Sequence, residues 1–170
     1  MKALVVLASG LLLTASLSAA APANGKPQSS ITVTVDGLSC TAGAGAGAFA
    51  ASSWSVGGSN TVVAGGGGGA AGKVSLQDLN LAREADGCSP ALLGAMTNGR
   101  HFTRATLTQH DADGVATATL TLTDVLFSSW NLSGRTTQAD VVENVSITFT
   151  RICFADVASG ASFCYPSAAP

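Results

Sequence analysis

The chain has 170 residues, of which 46% are apolar and only 11% charged, with a net charge of −2. An average soluble chain is about a quarter charged, and with no basic patch this one is not built to hold nucleic acid. Its size suits one domain around one core.

Residues 1–23 carry one basic residue, Lys2, then an apolar run from 3 to 17 and the small residues Ser18, Ala19, Ala20, Ala21, Pro22 and Ala23. That is the pattern of a secretory signal peptide, expected to occupy residues 1–21 and to be cleaved. The run is shorter than a bilayer needs and no second one follows, so no membrane span is expected. Residues 22–170 then form one exported domain, periplasmic or extracellular.

Residues 30–38 alternate, with Ile31, Val33 and Val35 on one side, as in a half-buried strand that closes on a glycine turn. Residues 41–72 shift to glycine and alanine, with Gly-Ala repeats over 43–48 and five glycines in a row, Gly65, Gly66, Gly67, Gly68 and Gly69. Such a stretch buries little and reads as a long loop. Within it residues 49–56, holding Phe49, Trp54 and Val56, read as a short strand. Over 73–84 the apolar phase changes from Val74 and Leu76 to Leu79 and Leu81, which predicts a bulge or bend near Asp78. Residues 89–99 predict the one helix, with Ser89 as cap, Pro90 at the first helical position and Gly99 at the end.

Strands follow at 101–110, 115–130 and 141–154. In the second, Thr117, Thr119, Thr121 and Thr123 share one face, and Ala116, Ala118, Leu120 and Leu122 the other. In the third, Val145, Ile147 and Phe149 oppose Ser146, Thr148 and Thr150. A tight turn at Asp111, Ala112, Asp113 and Gly114 makes the pairing antiparallel. Many strands and one short helix imply a mainly β fold, a small antiparallel barrel of two sheets with the helix at its side.

The cysteines Cys40, Cys88, Cys153 and Cys164 all follow the leader, and an oxidising compartment favours two disulfides. Three pairings exist for four cysteines. A C-terminal hairpin over 155–170, centred on Ala158 and Ser159, sets Cys153 opposite Cys164 and leaves Cys40 to Cys88.

Residues 67–73 satisfy the glycine and lysine positions of a phosphate-binding loop, but Val74 stands where the magnesium-binding hydroxyl is needed and opens a strand instead of a helix. The Asp111 to Gly114 turn lacks the further oxygen ligands of a calcium loop. His101 and His110 stand at opposite ends of one strand, about 30 Å apart, so they share no metal. No activated serine is framed by Gly-x-Ser-x-Gly. Acid pairs such as Asp36 with Asp78, or Asp124 with Glu143, read as solvated or turn-capping carboxylates before they read as a hydrolytic pair. Asn131 and Asn144 head glycosylation patterns that matter only on a eukaryotic route. No catalytic group, cofactor or metal is expected.

Residues 72–154 nevertheless resemble the haemolysin-coregulated protein (Hcp) family, the tube protein of bacterial type VI secretion. Five blocks carry the likeness in order: 73–81 (Lys-Val-Ser-Leu-Gln-Asp-Leu-Asn-Leu), 86–93 (Asp-Gly-Cys-Ser-Pro-Ala-Leu-Leu), 97–102 (Thr-Asn-Gly-Arg-His-Phe), 120–129 (Leu-Thr-Leu-Thr-Asp-Val-Leu-Phe-Ser-Ser) and 143–149 (Glu-Asn-Val-Ser-Ile-Thr-Phe). The resemblance implies a two-sheet barrel with a flanking helix, assembled into hexameric rings that stack as a tube for effector delivery and do no chemistry. Partners would be other copies of the chain, with secretion-system components or effector cargo beside them. The loop with Gly65 to Gly69 sits where the family has an extended loop reaching a neighbouring subunit. Thr117, Thr119, Thr121, Thr123 and Trp54 are then candidates for a lumen or ring interface, although alternating threonines suit a plain solvated sheet face at least as well, and for Trp54 and Trp130 burial in the subunit's own core is the stronger reading. Two features depart from the family: the leader, and a tail from 155 that runs past the family's end. The rival reading is an exported monomeric barrel that binds a partner or cargo.

Overall fold

A computed structural model describes residues 28–40, 46–61, 74–136 and 138–166. The leader, the Gly65 to Gly69 run, the phosphate-loop-like 67–73 and the last four residues lie outside these. The described elements are β1 (Ser30–Val35), β2 (Ala48–Ala51), β3 (Ser53–Ser55), β4 (Gly58–Asn60), β5 (Val74–Leu76), β6 (Leu79–Glu84), α1 (Ser89–Thr97), β7 (His101–His110), β8 (Ala116–Arg135), β9 (Gln138–Asp156) and β10 (Ser162–Pro166).

One antiparallel sheet in the order β2-β1-β7-β8-β9-β6-β3 makes the nearly closed barrel, with β10 added on β9, while the second sheet is only the β4–β5 ribbon. The expected strand over 49–56 is divided at Ser52. Its first part, β2, pairs with β1 and its second, β3, with β6. The reason is topological: the run 48–55 supplies both ends of the strand order and so closes the barrel. The turn that leads into it requires glycine, because at Gly47 (φ +72°) a Cβ would collide with the Val35 carbonyl oxygen. The phase change near Asp78 is likewise a change of sheet, since β5 pairs with β4 and β6 with β9.

The alternating apolar positions point where their period requires: Ile31, Val33, Val35, Leu107, Leu120, Leu122, Val145 and Ile147 are all buried in one core cluster. β7, β8 and β9 change face together at Thr103, Asp124 and Thr150, the positions that the cross-strand register skips. On one side of these Phe102, Val125 and Phe149 face inward; on the other, three positions along, Ala105, Leu122 and Ile152 do. Asp124 takes the bend at φ 50°, a left-handed conformation that aspartate tolerates better than most residues. β8 and β9 also extend beyond the expected 115–130 and 141–154. The added part of β8 pairs from Asn131↔Asn144 to Arg135↔Gln138, and most of its described side chains are exposed.

α1 starts one residue earlier than expected: its N-cap is Cys88, which makes no side-chain cap, and Pro90 lies in the first turn. Ser89 is freed for another contact, described below. Gly99 (φ +57°) does end the helix, donating to Met96 O while Arg100 donates to Ala95 O at 3.2 and 3.0 Å, the paired closing bonds that satisfy the last carbonyls. Leu92 and Ala95 are its buried contacts, and it packs chiefly on β8.

Cys40 is bonded to Cys88, tying the segment after β1 to the start of α1, and Cys153 to Cys164. The second pair stands directly opposite in the β9–β10 register, as a hairpin centred on Ala158 and Ser159 demands. At that turn the Ser159 hydroxyl and amide both donate to Asp156 and hold its carboxyl below the ordinary value. A depressed pKa adds stability above the unfolded-state value, which is lost as pH falls through the folded one. Asp156→Asn is therefore expected to loosen the hairpin at neutral pH, and the difference from the parent should vanish in acid. Amide exchange of residues 157–161 against pH reads it.

Candidate functional site

The registers assemble a broad hydroxyl face on the outside of the barrel. One row runs Thr32, Thr108, Thr119 and Ala155; the next runs Thr34, Thr106, Thr121 and the Cys153–Cys164 disulfide. Neither row carries a charge. The charged border is the following row, Arg104, Thr123 and Arg151, where Arg104 pairs with Asp36 at 3.2 Å. Thr117, Thr119 and Thr121 are half-buried and Thr123 is exposed, so the expected quartet is one strand of a wider face. Hydroxyls cost far less to desolvate than charges and donate or accept equally well. Such a face can meet a copy of itself without repulsion.

Trp54 and Trp130 are both half-buried against their own core. Trp54 Nε1 donates to Gln109 Oε1 at 3.1 Å, tying β3 to β7 across the barrel. Trp130 Nε1 donates to Glu143 Oε1, and this carboxylate is the centre of a cluster that sequence reasoning missed. Glu143 is 0% and Arg83 1% exposed, and they are cross-strand partners with an ion pair at 3.1 Å. Arg83 also meets Asp86, and its guanidinium lies 4.8 Å from the centre of the Phe49 ring. These contacts are ion pairs without aligned hydrogen bonds. Ser89, released from capping, donates to Glu143 Oε2 at 2.9 Å. A signal did exist: Arg83 is in phase with Leu79 and Leu81, and Glu143 with Val145 and Ile147, which puts each charge on an apolar face.

The acid pairs weighed from sequence have other partners instead. Asp36 meets Arg104, Asp78 accepts from Ser128, Asp124 meets His101 at 3.2 Å, and Glu143 meets Arg83. Among the described residues no three metal-ligating side chains gather. A cavity of about 260 Å³ beside Trp54, Asn80, Ser129 and Asn144 holds no titratable group in its lining.

Residues 14–155 match the family model described as type VI secretion system effector, Hcp. The chain belongs to the Hcp family. Protein hcp1 of Pseudomonas aeruginosa is 37% identical over 83 residues, 47% of this chain and 51% of that protein, so the chain matches about half the length of this curated relative. The solved Hcp1 of Salmonella typhimurium has the same fold at a TM-score of 0.68, with 21% identity over 82% of this chain and 95% of that one. A type VI secretion system effector from Yersinia pestis superposes at 0.62, with 20% identity over 80% and 98%. In this Hcp-family chain the match stops at residue 155, so β10 stands outside it.

Proposed function

We propose that the chain is a structural, self-assembling protein that forms hexameric rings stacking into a tube for effector delivery, after export directed by residues 1–21. The family match over 14–155 carries this reading. The barrel's uncharged threonine rows supply a surface for it, as lumen lining or ring contact. In this reading Gly65 to Gly69 contact a neighbouring copy. No role in catalysis is assigned, and the operating site is periplasmic or extracellular.

Expression of the full chain with its leader, purification of the oxidised product and sedimentation analysis test the reading. A species about six times the monomer mass is expected, consistent with closed cyclic symmetry, and intact mass should show residues 1–21 removed. Thr119→Lys places like charges against one another wherever copies or their linings converge, and should shift the ring toward monomer. A product that stays monomeric at every concentration sinks the assembly role and leaves the monomeric binding module. A ring unmoved by Thr119→Lys removes the threonine face from it.

A further inference from the structure

The two disulfides differ in what else holds the chain they join. Cys88 is fully buried and Cys40 packs against the same core, whereas Cys164 is exposed and Cys153 half-buried. β10 has β9 as its sheet neighbour, and all its side chains but Tyr165 are exposed. The inward row Phe49, Val33, Leu107 and Leu120 is buried to 1% exposure or less, but its continuation is not: Phe154 is 45% and Phe163 71% exposed. The core runs out before it reaches β10. A strand added by hydrogen bonds alone is marginal in water, so apolar burial does not account for β10 staying in place.

We propose that Cys164 is a site of thiol–disulfide exchange, and that Cys153–Cys164 is a latch holding β10 on β9 which a dithiol reductant opens while Cys40–Cys88 stays closed. A thiolate of the dithiol attacks Cys164 Sγ, the bond to Cys153 Sγ breaks, and Cys153 leaves as a thiolate that takes a proton from water. The second thiol of the reductant, its proton given up to water, attacks the mixed disulfide. Cys164 leaves and is protonated, and the dithiol ends as its own disulfide, two electrons having passed to the protein. Release uncovers residues 151–155 on the edge of β9, beside 148–150, which neither β6 nor β10 pairs.

Oxidised protein titrated with dithiothreitol, quenched with iodoacetamide and mapped by peptide mass and amide exchange tests this. Cys153 and Cys164 should be alkylated at reductant levels that leave Cys40 and Cys88 bonded. Amides of 162–165 should then exchange faster by on the order of a hundredfold, the loop-closure effect for a bridge of this span, with β1 and β7 unchanged. Labelling of Cys40 and Cys88 first, or of all four together, overturns the proposal. So does retained protection of β10 once its cysteine is alkylated. The double variant Cys153→Ala with Cys164→Ala checks the latch without reductant: fast exchange confined to 162–165 is expected, and protection equal to the parent's would end it.

Discussion

Glu143→Ala should lower the unfolding free energy by about 3 kcal/mol, because it removes the buried partner of the Arg83 guanidinium and leaves only the exposed Asp86 as counter-charge. Trp130 Nε1 and Ser89 Oγ lose their acceptor in the same step. Urea unfolding followed by tryptophan fluorescence measures the loss as a lower midpoint at unchanged slope. Replacing both partners, Arg83→Met with Glu143→Leu, should recover most of it, since a buried ion pair is weak net stabilisation against apolar side chains of similar size. A single-variant loss of under about 1 kcal/mol would show that water reaches the cluster.

Breaking the other covalent link has a comparable effect by a different route. Cys40 and Cys88 are 48 residues apart, and releasing a loop of that length gives the unfolded chain about 4 kcal/mol of entropy. Cys40→Ala with Cys88→Ala should therefore lower the midpoint of thermal unfolding by roughly 10 °C, taking about 2–4 °C per kcal/mol for a domain of this size. Calorimetry of oxidised parent and variant reads it. The Cys153→Ala and Cys164→Ala pair should move the midpoint much less, since its loop is shorter and β10 lies off the core. Equal shifts would mean that β10 is part of the cooperative unit after all.

The regular parts of the fold were legible because one period governed them. Strict alternation in 30–35, 116–122 and 145–149 fixed which side chains turn inward, and the cysteine spacing about Ala158 fixed the hairpin register. What escaped notice was decided by distant pairing. Nothing local in 48–55 says that its two halves join opposite ends of the sheet. The β8–β9 arm over 131–140 lacks an apolar face and is held by backbone pairing, which leaves no mark in composition. The buried Arg83 and Glu143 were visible as charges in an apolar phase, yet either alone reads as a solvated side chain; only the register makes them partners. For the candidate site, the sequence showed one strand of threonines. The adjoining Thr32, Thr34, Thr106 and Thr108 belong to segments brought alongside by the sheet order.

The run 48–55 also governs when the barrel can exist. Its second half needs β6, and β6 needs β9, where Leu79 pairs with Ile147 across nearly half of the domain's length. Ring closure is therefore among the most non-local events in this chain, and such topologies form slowly. Until the C-terminal third is in place, β2 and β3 are two raw margins of an unfinished cylinder, joined through Ser52 alone.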